Sequence, residues 1–421
     1  MPVVTTGSTT WPVALATVAS VRAASSFRHP RQPFRLFSLR IFAMPTRPSL
    51  HAILLSSLFL LLSPCVAAQS PLQVKSLAHQ GAMPYIEPVD AKAAGVARTA
   101  LRINHAMYLD LLELPAPVRR QDGLKAKKRG DNDGPAPISD IGFVVDRADQ
   151  RLLALSITAE GCGAYCEGFT RSYVFDAGNG RQVRAGDLFT PAGAEAVAAL
   201  LARQRGTRIK AEIAKLKAAG DPQTKAGKAK TDEERESSLE AATMFEGCLP
   251  LYTEAVRGEA PLDRDELRIK GAGVMLVRGR CSNHAMQALD SIGEFKNALG
   301  LNELSPHLNA YGKYLLGAGP AAPAPVSPFG QVVFGKVGTA PVTLYLRVPY
   351  GADQNVGGLY FYDRFRTPIS LFGPRRGAAW ELNEEAPEGK PAPLVRFTVN
   401  GERISGEWVG GDKRLPLEAG P

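Results

Sequence analysis

Beyond residue 330, apolar and polar residues alternate almost without interruption. In VTLYLRV, Val342, Leu344, Leu346 and Val348 alternate with Thr343, Tyr345 and Arg347, which predicts a half-buried strand. In LVRFTVNGERISGEW, the Asn400-Gly401 dipeptide predicts a hairpin closed by a two-residue turn. That turn pairs Val399 with Glu402 and Phe397 with Ile404. It sets Trp408 on their face and Arg396, Thr398, Arg403 and Ser405 on the other. Residues 330–416 therefore read as a small antiparallel all-β domain, a sandwich or a barrel-like closure.

Between 69 and 316 the period changes. Ala91–Leu112 repeats apolar residues at three- and four-residue spacing, with Arg98, Arg102 and Asp110 outside, and Pro115 and Pro117 end the helix. IGFVVDRADQRLLALSIT holds two β-rich runs around Arg147–Gln150, and TRSYVFDAGNGRQVRAGDLF predicts a second hairpin turning at Gly178-Asn179-Gly180. Pro191–Leu216 predicts a long helix with Pro191 in its first turn. Ala218–Ser238 is charged and poor in large apolar residues, and reads as a solvated loop or frayed helix. Lys125–Gly134 reads as a charged loop. Glu266–Arg280 predicts strand, and Ile292–Leu299 and Leu308–Leu316 predict two short helices. The whole is α+β: a mixed helix and antiparallel-sheet domain over 69–316, then the β domain. GAGPAAPAPVSPF, 317–329, joins them; its four prolines predict a semi-rigid spacer.

The first 68 residues change the picture of compartment. After Met44 come a short basic stretch, an apolar run of eleven residues (Ala52–Leu62) and the small-residue end Val66-Ala67-Ala68. This pattern predicts a signal peptide over 44–68, cleaved between Ala68 and Gln69, and a periplasmic or secreted product. The run is short for a membrane span, so no stable span is expected after processing; an uncleaved anchor is the alternative. Cys65 hints at a lipid attachment site, which Pro64 spoils. Residues 1–43, rich in Arg and Ser and free of acids, read as an over-extended start or a transit peptide.

Charge adds little. The formal net charge is +9, but six arginines fall within 1–68; taken from 50 basic residues they leave 44 against 41 acidic. No dense basic patch with interleaved aromatics supports nucleic acid as a partner.

Export gives the cysteines a role. Outside the cytosol Cys162, Cys166, Cys248 and Cys281 are expected to form two disulfides. Three pairings are possible; proximity favours Cys162–Cys166 and Cys248–Cys281. Gly161, Gly163 and Gly168 let the chain turn tightly there. The competing reading is a metal site using these thiols with His284, but no ligand pair has the usual spacing, so neither metal nor cofactor is expected. Within the constrained loop, Tyr165 and Glu167 are candidate recognition residues, although a Tyr165 packed over its own disulfide is the favoured reading. Tyr345, Tyr360, Tyr362 and Trp380 are candidates for an aromatic glycan-binding face, with Tyr360 and Tyr362 foremost. Packing across strands is the stronger reading of the same residues. Asp363, Glu381, Glu384 and Glu385 offer carboxylates of the glycosidase type without fixed geometry. After Gln69 there is no HExxH, GxSxG, SxxK, P-loop or helix-preceding GxGxxG.

Several pieces together resemble a known family. They are Ile103-Asn104 in a helix, the strand pair after Ile138, the glycine-alanine turn, Phe175-Asp176 in a strand, and Gly186-Asp187-Leu188-Phe189 before a helix. Residues 80–316 resemble exported bacterial domains found beside peptidoglycan deacetylases and in the extracellular, lysozyme-sensing part of the anti-sigma factor RsiV. The family commonly has Gly-Gly-Ala-His at the turn; here Tyr165 takes the His place and cysteines bracket it. The resemblance implies non-catalytic binding in the cell envelope, of peptidoglycan or a lysozyme-like protein. It also leaves open a wall-glycan hydrolase or deacetylase with an unrecognised site, or a membrane-anchored stress sensor.

Overall fold

The chain opens with a β-hairpin, β1 (Leu72–Ser76) and β2 (Pro84–Pro88), against which α1 (Ala94–Leu112) packs. The computed structural model describes residues 69–77, 82–124, 138–162, 166–255, 259–386, 389 and 391–421; the expectations for 1–68, for Lys125–Gly134 and for Tyr165 fall outside them. Asn104 explains the docking of α1. Its amide accepts from the Ile86 backbone N–H at 2.8 Å and donates to the Ile86 carbonyl at 2.8 Å, extending the edge of β2. Tyr108 donates its hydroxyl to the Pro84 carbonyl.

Next comes a meander of β3 (Ile138–Ala148), β4 (Leu152–Cys162) and β5 (Cys166–Asp176). The hairpin expected after β5 shrinks to one bridge, Phe175–Gln182, because β5 takes β4 as its ladder partner along its whole length. Gly180 turns that corner at φ +73°, with its Cα pressed so close to α1 that a Cβ would sit 2.7 Å from the Thr99 carbonyl.

Two helices follow, α2 (Pro191–Gly220) and, after the single turn α3 (Lys225–Lys228), α4 (Asp232–Thr253). Thr190 caps α2 by accepting from the Gly193 N–H at 3.0 Å. The charged stretch expected to be loop or frayed helix is in part the ordered start of α4. Thr231 and Glu234 form a capping box, and three acids in the first turn suit the helix dipole. The third sheet is β6 (Glu266–Lys270), β7 (Gly273–Arg278) and β8 (Phe295–Leu299). β8 corrects the expected helix over Ile292–Leu299: its apolar ends Phe295 and Leu299 are buried while it completes the ladder of β7. Two short helices, α5 (Leu301–Leu304) and α6 (Ala310–Leu315), end this part.

Asp176 and Asp187, two of the residues singled out in the sequence, are framework. Asp176 accepts from Gly178 N, from Asn179 Nδ2 and from the Tyr311 hydroxyl of α6. Asp187 accepts from the Arg184 N–H, and the carbonyls of Asp187 and Phe189 both receive Asn309 Nδ2. A buried ion pair joins α2 to the third sheet: Arg205, 2% exposed, meets Asp265, which also receives Arg278 at 2.8 Å.

Residues 317–328 carry no helix or strand. Beyond them lies a closed eight-stranded antiparallel barrel. Its strands are β9 (Gln331–Val337), β10 (Ala340–Leu346), β11 (Val356–Tyr362), β12 (Ile369–Gly373), β14 (Ala379–Glu384), β15 (Leu394–Asn400), β16 (Arg403–Gly410) and β17 (Lys413–Gly420), with the two-residue β13 (Arg375–Arg376) at the rim. Two pairings close it: β9 with β17, and β12 with β14 through Leu371–Glu384 and Phe372–Asn383. Val333, Leu344, Leu382, Phe397 and Ile404 are among the side chains that fill the interior.

Three expectations change here. β10 is buried on both faces: Thr343 and Tyr345 are 2% and 4% exposed, because α1 covers the outer face of the barrel with Val332, Tyr345, Leu359 and Phe361. For the same reason Arg102, expected outside α1, is buried and donates Nε to the Val332 carbonyl at 3.0 Å. The 394–410 hairpin keeps its expected faces, with Val395, Phe397 and Ile404 inward. Its register is displaced by two: Asn400 pairs with Arg403 and Val399 with Ile404. The turn residues are Gly401 and Glu402, and only Gly401 has positive φ, as a II′ turn with glycine in its first central position requires.

Candidate functional site

β4 and β5 each run eleven residues, apolar and buried at the base and progressively exposed toward the tip. At the tip Cys162 and Cys166 are direct cross-strand partners, 4.0 Å between Cα atoms, joined by a disulfide. The sulfur bridge closes the three-residue loop that contains Tyr165, whose own placement lies outside the described residues. Glu167, the first residue after the bridge, is half-buried. It accepts from Arg280 Nη2 at 2.5 Å and from His284 Nδ1 at 3.2 Å. Burial pushes the Glu167 carboxyl up, but the Arg280 and His284 contacts outweigh it and leave the pKa below the usual value of 4.5.

Those partners come from far along the chain and are held by the second disulfide. Cys248 of α4 bonds Cys281, between Arg280 and Ser282. Asp290 then gathers the loop, accepting backbone N–H bonds from Ser282, Ile292 and Gly293. Burial alone would raise the Asp290 pKa; these N–H donors bring it below its ordinary value. The pairing preferred on proximity is thus the pairing found, and the two bridges stand at either end of one ion-paired contact. Glu160 lies with the Cys162 and Cys166 sulfurs in a cluster tight enough for a metal, but the bridged sulfurs are not thiolates. What the tip offers chemically is a cross-strand disulfide beside a carboxylate clasped by two basic groups.

The aromatic candidates do not share a face. Tyr345 points out of the barrel toward α1, where its hydroxyl donates to Asp110. Trp380 and Tyr360 point into the barrel, 5% and 2% exposed, and Trp380 stacks at a tilt on Phe329. The Tyr360 hydroxyl donates to Glu384, whose same oxygen receives Trp408 Nε1 at 2.5 Å. Tyr362 is half-buried, set edge-on to Tyr360 and near the exposed Phe365. Tyr360 thus offers no ring face to a glycan, while Tyr362 offers part of one. The carboxylates are similarly occupied: Asp363 accepts from Thr343, and Glu381 pairs with Arg396 at 2.8 Å. Glu385 stays exposed.

Sequence reasoning missed Arg280 as a partner of Glu167, 113 positions away, and weighed His284 only as a metal ligand. The one available signal was their position flanking Cys281.

Fold and tip together define an α+β protein with a disulfide-pinned hairpin and a C-terminal closed barrel. No family model, curated protein or solved structure matches the chain. No helix among the described residues is long and apolar enough to cross a membrane.

Proposed function

We propose that the chain is an exported, non-catalytic binding protein of the cell envelope, periplasmic or secreted, and that the Cys162–Cys166 hairpin tip is its contact surface. One observation carries this reading: every cysteine after Gln69 is in a disulfide, and the two bridges brace the same tip. Disulfides persist in oxidising compartments, in keeping with the signal-like run after Met44. A loop closed by a disulfide has less entropy to lose on contact than an open one, which suits Tyr165 as an anchor and Glu167 beside it. The resemblance over 80–316 supplies the partner class, peptidoglycan or an envelope-directed protein such as lysozyme.

The test is retention. Protein isolated from its native compartment is passed over peptidoglycan and over immobilised lysozyme, as wild type and as Tyr165→Ala and Glu167→Gln. Retention of the wild type with loss in Tyr165→Ala supports the reading. Equal retention of all three removes the tip from the function, and four alkylatable thiols in the native protein remove export.

A further inference from the structure

A cleft of about 440 Å³ lies between the meander, the third sheet and the barrel. That is within the usual size range of small-molecule sites, roughly 300–1,000 Å³. Its walls include Asp110, Arg171, Gln182, Arg184, Asp263 and Tyr345. The cleft also takes in groups already committed to partners. Both Asp265 oxygens hold arginines, Arg264 pairs with Glu259 at 2.5 Å, and Arg347 pairs with Glu113 at 3.0 Å. Asp110 accepts the hydroxyls of Tyr173 and Tyr345.

Two arginines are left under-used. Arg171 is half-exposed and comes no nearer to Asp110 than 3.9 Å, beyond hydrogen-bond range. Arg184 reaches Asp187 with Nη2 only at 3.5 Å, while its Nε is buried with no partner among the described residues. A buried donor left unsatisfied costs about 1–3 kcal/mol, so such a group marks a place where an acceptor is missing. Two residues away Gln182 has a buried Oε1, also without a partner, although its backbone is clamped on both sides by the Gln331 amide at 2.9 and 2.8 Å. The side-chain amide can present either end to a ligand. Of the other acids lining the cleft, Glu266 pairs with Arg268 at 2.7 Å and Asp263 accepts from the Ala260 N–H at 3.1 Å, burial raising its pKa against the pull of Arg184. Arg171 and Arg184 are thus the weakly partnered charges of the cleft.

We propose that this cleft binds a small organic oxyanion, a carboxylate or phosphate head group, through the guanidinium groups of Arg171 and Arg184, with Gln182 taking a second polar group of the ligand. Planar guanidinium forks match both kinds of oxyanion, and a partly desolvated cleft strengthens the contact. This site is separate from the hairpin tip and stands whether or not the tip binds anything.

Calorimetric titration of the full-length purified protein at low ionic strength tests it, with inorganic phosphate, acetate and succinate as probes and chloride as the control. Saturable binding of phosphate alone assigns a phosphate ligand, and of succinate or acetate alone a carboxylate ligand. Arg171→Gln and Arg184→Gln are each expected to weaken binding about tenfold or more, the scale of a hydrogen bond to a charged group. Asp263→Asn should hold or tighten affinity, and Tyr165→Ala should leave it unchanged. Arg171 is exposed enough for its variant to fold even where Arg184→Gln does not. No saturable binding by any probe, or Arg171→Gln binding as wild type does, overturns the proposal.

Discussion

The two parts of this molecule solve the same problem differently. The C-terminal barrel is one sheet of eight strands closed on itself, with no cysteine and an interior of packed apolar side chains. Closure removes the open edges that any sheet must otherwise protect. The preceding part holds three separate sheets of two, three and three strands, each with edges. There the chain adds point fixings: two disulfides, the buried Arg205–Asp265–Arg278 group, and helix caps at Thr190 and Thr231. Covalent and ionic fixings sit where hydrogen-bonded continuity is shortest.

That contrast can be broken most directly at Asp265. Asp265→Ala leaves Arg205 buried and unpaired, and should cost about 3–5 kcal/mol by urea denaturation. Exchange protection of barrel amides relative to those of β6 and β7 should be spared, and equal loss in both would erase the contrast. Cys248→Ala with Cys281→Ala opens a loop of sequence separation 33, worth about 4 kcal/mol on the chain-entropy estimate. Reduction of the wild type, which opens Cys162–Cys166 as well, should cost at least as much.

The contact between the two parts is sharpened by pH. His105, on α1 against Phe361 of the barrel, is 2% exposed, and burial holds its pKa down to about 3, with Arg366 adding to the effect. The unfolded chain binds this proton near pH 6.5 and the folded chain does not. Stability is therefore full above that pH and declines as pH falls, by about 1.4 kcal/mol per unit, until the folded pKa is reached. Thermal melts of wild type and His105→Asn between pH 7 and pH 4 should converge at the acid end on this account. The smallest effect belongs to Cys162→Ser with Cys166→Ser. That loop is short, so the loss is about 2 kcal/mol, felt as faster exchange at the hairpin tip rather than at its base.

The barrel was legible because strand alternation is local: faces could be read off Phe397 and Ile404 even with the register displaced by two. α4 was obscured by its own composition. Its buried side is thin, little more than Ser238, Ala241, Ala242, Phe245 and Cys248, and the charges around it resemble a loop, although Thr231 and Glu234 mark its start. β8 was misread because its strand state depends on β7, which no window around residue 295 contains. Arg102 was misplaced because the surface it enters is made by residue 332. At the tip, the cysteines announced themselves, but the charges that meet Glu167 depend on a crosslink between α4 and Cys281. The cleft was invisible in the sequence, since Arg171 and Arg184 gain meaning only when the sheets are assembled around them.

The seam between β9 and β17 has a consequence for biogenesis. Leu417 must find Val337, and Gly420 must find Phe334, across some eighty intervening positions. Until β17 has emerged from the ribosome, and from any export channel, β9 presents a naked flank able to recruit strands from other molecules. Ring completion is thus a late, long-distance event, the kind that sets a slow clock on maturation.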